Sequence, residues 1–215
     1  MTWAQYAAAW SALHGGFDPD KASPLVRGWI RLAYRGGFLL AGLGVGPMVV
    51  TGAGLLLSAA VPVVVALGPA GLPLGALLVL LASVADGLDG AVAVVAGRTS
   101  RLGFVVDSVA DRLGELAWLV AFWLAGAPGW LAVAAGAASW LHEYVRARAI
   151  AAGMREIGAV TVAERPTRVI VTIAGLTLGN AGPALTLAAA AWLTLGVVGL
   201  VQLAVAVRRD LTDRT

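Results

Sequence analysis

Six long apolar stretches occupy most of the chain and predict six membrane-spanning helices. Each stretch has about the 20 residues that an α-helix needs to cross a bilayer. Short uncharged turns alternate with basic segments between them. The predicted spans cover approximately residues 47–67, 72–96, 102–125, 129–152, 166–182 and 184–207. The pattern therefore predicts an all-α, polytopic membrane protein.

Two shorter amphipathic segments precede these spans. Residues 2–14 place aromatic side chains at helical spacing. This predicts either an interfacial helix at the lipid headgroups or a helix packed on the protein's own cytosolic face. Ser23, followed by a proline, has the features of a helix start. Beyond it Arg27, Arg31 and Arg35 recur every four residues opposite an apolar side, which predicts a second helix along the membrane surface.

Three regions are expected from these elements. Residues 1–36 form the N-terminal interfacial helices, residues 37–208 form a six-helix transmembrane catalytic domain, and residues 209–215 form a cytoplasmic tail. The composition agrees, because 60% of the 215 residues are hydrophobic and only 13% are charged. The chain has no cysteine, which excludes disulfides and thiolate metal sites.

All 15 lysines and arginines fall on one side of the predicted spans. The positive-inside rule therefore places both termini and the basic loops in the cytoplasm. The basic residues are Lys21, Arg27, Arg31, Arg35, Arg98, Arg101, Arg112, Arg146, Arg148, Arg155, Arg165, Arg168, Arg208, Arg209 and Arg214. The two histidines, His14 and His142, have no nearby histidine or cysteine in the sequence, so a metal role is not expected of them.

Four aspartates interrupt the second and third apolar stretches in two pairs. Asp86 and Asp89 are three residues apart, and Asp107 and Asp111 are four apart, so each pair shares one face of a helix. An acid at the centre of a membrane helix costs roughly 2.5–3.5 kcal/mol, so these groups need neutralisation. Protonation would neutralise them, but hard divalent cations prefer such carboxylate ligands. Four carboxylates could hold two ions, an arrangement that clamps phosphates during in-line displacement.

Small residues beside the aspartates support a ligand site. Gly90 and Gly103 leave the helix faces bare, so a bulky ligand could approach the backbone. The alternative is a structural salt-bridge network with Arg98, Arg101 and Arg112. That network would not explain the bare faces.

The aspartate motif resembles the signature of the CDP-alcohol phosphotransferases. The matching positions are Asp86, Asp89, Gly90, Ala93, Gly103, Asp107 and Asp111. The segment from Pro47 to Gly54 is similar to the family's opening of its first membrane helix, with Met48 in place of Asn or Asp. Val94 stands where the family usually has an arginine that helps to hold the CDP phosphates. Arg98 or Arg101 could substitute for it.

The resemblance implies an enzyme of lipid synthesis. An acceptor hydroxyl would attack the β-phosphorus of a CDP-linked lipid, normally CDP-diacylglycerol, and CMP would leave. Asp86, Asp89, Asp107 and Asp111 would bind Mg²⁺ or Mn²⁺ as two ions, and Asp111 would also act as general base. The residues expected to contact the CDP-lipid are Met48, Val49, Val50, Thr51, Gly90, Arg98, Ser100 and Gly103.

Arginines near the ends of the last three spans suggest a phosphorylated acceptor. The acceptor-binding candidates are Arg146, Arg148, Arg165, Arg168 and Arg208. Inositol phosphate is the first choice, glycerol 3-phosphate the second, and an unphosphorylated alcohol the third. The segments 144–148 and 164–168 resemble those of bacterial phosphatidylinositol phosphate and phosphatidylglycerol phosphate synthases, although Glu143 replaces their usual serine. The alternative is that the arginines anchor helix ends at anionic headgroups.

Two other classes of function remain open from the sequence. A cation transporter could use the four acids as an ion site, but the outer halves of the spans offer almost no polar side chain for a path. A relative without catalytic activity is the other alternative. By the same resemblance we expect a homodimer in a bacterial cytoplasmic membrane, with membrane lipids around it and no nucleic acid as a partner.

Overall fold

The computed structural model describes residues 1–13, 16–154 and 160–212, and within these ranges the regular structure is entirely helical. His14, Arg155 and Arg214 lie outside these ranges. The predicted all-α class is confirmed. The eight α-helices in the described ranges are α1 Trp3–Leu13, α2 Pro24–Gly42, α3 Pro47–Val65, α4 Gly71–Val95, α5 Arg101–Leu124, α6 Gly129–Ala151, α7 Arg165–Thr177 and α8 Ala184–Thr212.

Three of the described helices are long and apolar enough to cross a membrane: α3, α4 and α8. The other three predicted spans correspond to α5, α6 and α7. Helices α5 and α6 have 24 and 23 residues, but acidic and basic side chains interrupt their apolar sequences. Helix α7 has only 13 residues and ends at Thr177, before the predicted end of its span. Length and composition thus support a membrane protein and identify three candidate spans.

The chain divides into two compact units, the first of which contains Met1–Leu56 and Leu81–Asp111. Helix α1 packs on the protein within this unit. Its Tyr6 is 1% exposed and forms a cluster with Ile30 and Ala33 of α2 and with Ala91 and Val94 of α4. Of the two alternatives for residues 2–14, the packed helix agrees with the structure, because its central aromatic ring faces protein.

Helix α2 begins as its sequence predicts. The Ser23 hydroxyl accepts a hydrogen bond from the Val26 amide at 3.4 Å, and proline occupies the first turn. The helix then lies close to α4, since a Cβ added at Gly37 would be 2.9 Å from the backbone of Ala91. Helix α2 continues to Gly42, so the expected region boundary at residue 36 falls inside it.

The second unit contains Leu57–Leu80 and Arg112–Thr215. Helices α6 and α8 pack along each other, and Trp192 of α8 donates its indole N–H to the hydroxyl of Ser139 on α6 at 2.8 Å. The Trp192 ring meets the Phe122 ring edge to face at 6.5 Å between centroids. Both rings are almost completely buried, so this contact lies in the core of the unit.

Candidate active site

The two aspartate pairs lie on a hairpin formed by α4 and α5. Helix α4 ends at Val95, and Gly97 adopts a φ of 62°, a left-handed conformation that glycine takes without strain. Ser100 then begins α5: its hydroxyl accepts the Gly103 amide at 3.0 Å and its carbonyl accepts the Phe104 amide at 3.1 Å. A helix end, a glycine turn and an N-cap thus reverse the chain between the two pairs.

Three of the four aspartates converge within the first unit. One carboxylate oxygen from each of Asp86, Asp107 and Asp111 lies within 4.8 Å of the other two. Oxygen ligands at 2.0–2.6 Å from a Mg²⁺, Mn²⁺ or Ca²⁺-sized ion are at most about 4–5 Å apart across it. The spacing and the ligand chemistry therefore suit one hard divalent cation.

Asp89 has a different contact from these three. It is buried, and its Oδ2 accepts a hydrogen bond from the Thr51 hydroxyl on α3 at 2.6 Å. The same hydroxyl lies 3.1 Å from the Pro47 carbonyl oxygen. Thr51 therefore joins the start of α3 to the aspartate motif, while metal ligation by Asp89 stays a prediction.

The other residues expected to contact the CDP-lipid differ in exposure. Met48 and Val49 are exposed at the start of α3, whereas Val50 is buried. The space beside Gly90 is open, since a Cβ added there would meet nothing within 4 Å. Ser100 caps α5, so its hydroxyl already has a structural role. These contacts with a nucleotide stay predictions.

The structure gives a reason for the unusual Val94. Its side chain is 6% exposed in the cluster that α4 forms with α1 and α2. Arg98 lies one turn further along the chain and is exposed. One of its terminal nitrogens would be 3.6 Å from a Cβ added at Gly46, immediately before α3. Arg98 thus reaches the start of the segment from which the Thr51 hydroxyl contacts Asp89.

The acceptor-binding candidates lie in the second unit, and Arg168 is among its most buried charged residues. The side chain of Arg168 is 5% exposed. Its two terminal nitrogens donate to Glu115 at 2.8 Å and to Glu143 at 3.0 Å. Arg112 contacts the same two carboxylates at 3.0 and 3.5 Å. Two guanidinium groups and two carboxylates therefore form a closed ring, hereafter the ion ring.

Arg146 is paired in a similar way. It donates to both carboxylate oxygens of Glu164, which also accepts the amide of Thr161 at 2.9 Å. Burial alone would raise the pKa of Glu164, but the hydrogen bonds from Arg146 and Thr161 outweigh it and hold that pKa below its ordinary value. The Thr161 hydroxyl lies 3.0 Å from Nε2 of His142, which is fully buried. His142 therefore belongs to this polar network.

The three remaining candidates have more accessible side chains. Arg148 and Arg208 are exposed, and Arg165 is partly buried with its guanidinium 5.9 Å from the Trp118 ring centroid. Glu115 and Thr161 were not predicted from the sequence. The signal for Glu115 was an acid in an apolar helix four residues after Asp111, a spacing that places both on one helix face.

A hairpin of two helices that gathers three carboxylates around one point is characteristic of a divalent-metal site. The family model for the CDP-alcohol phosphatidyltransferases matches residues 45–206, which include this hairpin and the ion ring. The chain belongs to the CDP-alcohol phosphatidyltransferase family. The family identification made from the aspartate motif is confirmed.

Several proteins of known name are similar to this chain over about half of its length. The chain is 37% identical over 115 residues to the phosphatidylinositol phosphate synthase of Mycolicibacterium smegmatis. The aligned region covers 49% of this chain and 50% of that protein. It is 35% identical over 144 residues to the synthase of the same name from Mycobacteroides abscessus, covering 60% of this chain and 61% of the relative. The match to the archaetidylinositol phosphate synthase of Aeropyrum pernix has 32% identity over 125 residues, covering 55% of this chain and 64% of that protein. The chain thus spans about half to two thirds of the length of these relatives.

Solved structures resemble this chain over a longer range. The crystal structure of Mycobacterium tuberculosis phosphatidylinositol phosphate synthase with CDP-DAG bound has a TM-score of 0.71 at 27% identity, covering 83% of this chain and 94% of that one. The same enzyme in complex with manganese and citrate has a TM-score of 0.70 at 28% identity, with 81% and 88% coverage. The likeness extends over most of both chains.

Proposed function

We propose that this protein transfers a phosphatidyl group from CDP-diacylglycerol to a hydroxyl of a phosphorylated polyol and releases CMP. The convergence of Asp86, Asp107 and Asp111 on one point is the observation that carries the proposal. The family to which this chain belongs is named for transfer from CDP-alcohols. The relatives' names favour inositol phosphate as the acceptor, with glycerol 3-phosphate as the alternative.

The aspartates would hold the metal. A bound Mg²⁺ or Mn²⁺ would neutralise the charge of the CDP pyrophosphate and polarise its phosphoryl oxygens. Asp86, Asp107 and Asp111 are the ligands we propose for one ion. Asp89, held by the Thr51 hydroxyl, is the further acid we propose for a second ion.

The transfer itself requires a proton acceptor and a leaving group. In the proposed step the acceptor oxygen forms a bond to the β-phosphorus, and the bond from that phosphorus to the oxygen of CMP breaks. The hydroxyl proton passes to the carboxylate of Asp111, and CMP leaves with the electron pair of the broken bond. Asp111 suits this role because it lies within the group of three acids that would surround the substrate phosphates.

On the nucleotide side we propose that Arg98 takes the role of the arginine that the family usually has at the position of Val94. Its exposure and its approach to Gly46 support this assignment, because a flexible cation there could reach the phosphates. Met48, Val49, Val50, Thr51, Gly90, Ser100 and Gly103 are the other residues proposed to line the CDP-lipid. On the acceptor side we propose Arg146, Arg148, Arg165, Arg168 and Arg208.

We also propose the membrane arrangement that the sequence suggests. The protein would have six spans in residues 37–208 and a cytoplasmic tail at 209–215. The active site and both termini would face the cytoplasm of a bacterial inner membrane, and the protein would form a homodimer. The chain has no cysteine, so single cysteines at Thr99 and Ala70 would test the topology. A membrane-impermeant maleimide added outside intact cells should label the Ala70 position alone; labelling at Thr99 would contradict the arrangement.

CMP release measures the proposed reaction directly. Purified protein would be given CDP-diacylglycerol, Mg²⁺ or Mn²⁺, and inositol phosphate, glycerol 3-phosphate or inositol. We expect CMP in the presence of a phosphorylated acceptor, and we expect Asp111→Asn to abolish it while the protein keeps its thermal unfolding temperature. The matched control is Asp20→Asn, the same change at an exposed site outside the hairpin. Absence of CMP with every acceptor, despite a folded protein that binds Mn²⁺, would refute the proposal.

A further inference from the structure

The ion ring satisfies both terminal nitrogens of Arg168 within the protein. Glu115 and Glu143 accept from them at 2.8 and 3.0 Å, and the Arg168 side chain is 5% exposed. The two carboxylates therefore occupy the approach through both terminal nitrogens, while Nε has no hydrogen-bond partner among the described residues. A phosphate can therefore bind both terminal nitrogens of Arg168 only if a carboxylate moves away.

The charges in this region also balance. Arg112, Arg146 and Arg168 face three carboxylates within salt-bridge distance. Those carboxylates are Glu115, Glu143 and Glu164. A phosphorylated ligand added to this set would bring negative charge to a region that already has its counter-anions. Such a ligand gains most from Arg112 and Arg168 if a carboxylate leaves or loses its charge.

Glu143 is the carboxylate best placed to leave. Its side chain is 33% exposed, whereas that of Glu115 is 1% exposed. A single oxygen of Glu143 contacts both guanidinium groups of the ring, at 3.0 Å from Arg168 and 3.5 Å from Arg112. A negatively charged oxygen held between two arginines occupies the kind of position that an oxygen of a bound phosphate takes.

We propose that Glu143 is a specificity-determining residue that competes with the phosphate of the acceptor for Arg168 and Arg112. The inference rests on the proposed function, in which a phosphorylated polyol uses these arginines. Glu143 lowers the affinity for such an acceptor and thereby weakens the preference of the protein for phosphorylated over unphosphorylated polyols. It acts through the two arginines and takes no part in bond making.

Two variants that remove the charge of residue 143 test the proposal. Glu143→Gln keeps the shape of the side chain, and Glu143→Ala also opens space. CMP release would be measured with inositol phosphate and with inositol, which differ only in the phosphate. We expect KM for inositol phosphate to fall about ten-fold in Glu143→Gln, because one charge-assisted contact is released to the ligand. KM for inositol and for CDP-diacylglycerol should change by less than about two-fold, since neither brings a phosphate to this ring.

The difference between the changes in KM for inositol phosphate and for inositol distinguishes competition from a general structural effect. A fall in KM for both polyols alike, or an unchanged or higher KM for inositol phosphate, would overturn the proposal. A rise for both would instead mean that Glu143 binds acceptor hydroxyls. Asp20→Asn, which removes one negative charge at an exposed site in the other unit, is the matched control for net charge.

A binding measurement keeps this inference separate from the proposed reaction. Inorganic phosphate should raise the unfolding temperature of Glu143→Gln and Glu143→Ala more than that of the wild-type protein, because Arg112 and Arg168 lose one counter-anion in these variants. Each rise is measured against chloride at equal ionic strength, and the exposed arginines, which wild type and variants share, contribute equally to it. A phosphate-dependent rise in the wild type as large as that in either variant would refute the competition. If no acceptor yields CMP, the proposed function fails, while the phosphate measurement still decides the role of Glu143.

Discussion

Val94→Arg separates what the family resemblance suggests from what the structure shows. The resemblance places an arginine at this position, so restoring it should tighten the binding of a CDP-lipid. In the structure, however, the Val94 side chain is 6% exposed and packs with Tyr6, Ile30 and Ala33. We therefore expect the substitution to destabilise the first unit and not to improve binding.

The expected cost follows from two contributions. Burying a valine side chain stabilises a protein by about 1.5–3 kcal/mol, and Val94→Arg removes that contribution. The arginine then either places its guanidinium in the cluster, at several kcal/mol, or displaces α1 and exposes the buried Tyr6 ring. Either route gives a loss on the order of 3–5 kcal/mol. For a chain of this length the unfolding temperature should fall by roughly 10 °C.

Thermal unfolding of the purified protein, read together with CDP-diacylglycerol affinity, decides between the two expectations. Ala96→Arg is the matched control, because it adds the same side chain two residues later at an exposed position. It should change the free energy of unfolding by less than about 0.5 kcal/mol. If Val94→Arg unfolds at the wild-type temperature and binds CDP-diacylglycerol more tightly, the packing of α1 on α4 contributes little, and the reasoning from burial is refuted.

Three further predictions test the packing and the electrostatics of the described helices. Ser139→Ala leaves the buried Trp192 indole N–H without its acceptor and should cost about 1–3 kcal/mol in thermal unfolding, whereas adding Trp192→Phe should recover part of the loss. Gly37→Ala should destabilise by about 1–3 kcal/mol because its Cβ would be too close to the α4 backbone, while Gly28→Ala on the same helix meets no atom and should be neutral or stabilising. The folded-state pKa of Glu164 is lowered, so its contribution to stability is present above the ordinary glutamate value of 4.5 and is lost as the pH falls through the folded value. Glu164→Gln should therefore make unfolding temperature less dependent on pH below that point, and an unaltered acid-side slope would contradict this.

Hydropathy and turn residues predicted most of the helices to within a few residues. The predicted starts at residues 47, 72, 102 and 129 correspond to helices beginning at 47, 71, 101 and 129. Prolines, glycines and the Ser100 cap mark these starts through local backbone preferences, which depend little on tertiary structure. Helix α7 ends earlier than predicted because apolar composition alone does not show where a helix stops.

The convergence of three aspartates was predictable because their motif acts through spacing on two consecutive helices. A turn between them brings Asp86 and Asp107 together, and helical periodicity then adds Asp111. The contact between Asp89 and Thr51 is different, since the two residues are 38 apart in the chain. Periodicity contains no information on such a pair, which depends on how α3 lies against α4.

The number of arginines in the sequence did not predict which of their side chains are accessible to a ligand. Arg168 and Arg148 are both cations in segments that resemble the family, yet the first is buried between two carboxylates and the second is exposed. The difference arises from Glu115, 53 residues away from Arg168 in the chain. A buried guanidinium is tolerated only with a carboxylate of this kind, because an unpaired charge there would cost several kcal/mol. An arginine in an apolar chain therefore predicts an anionic partner, and only the packed structure shows whether a protein carboxylate already supplies it.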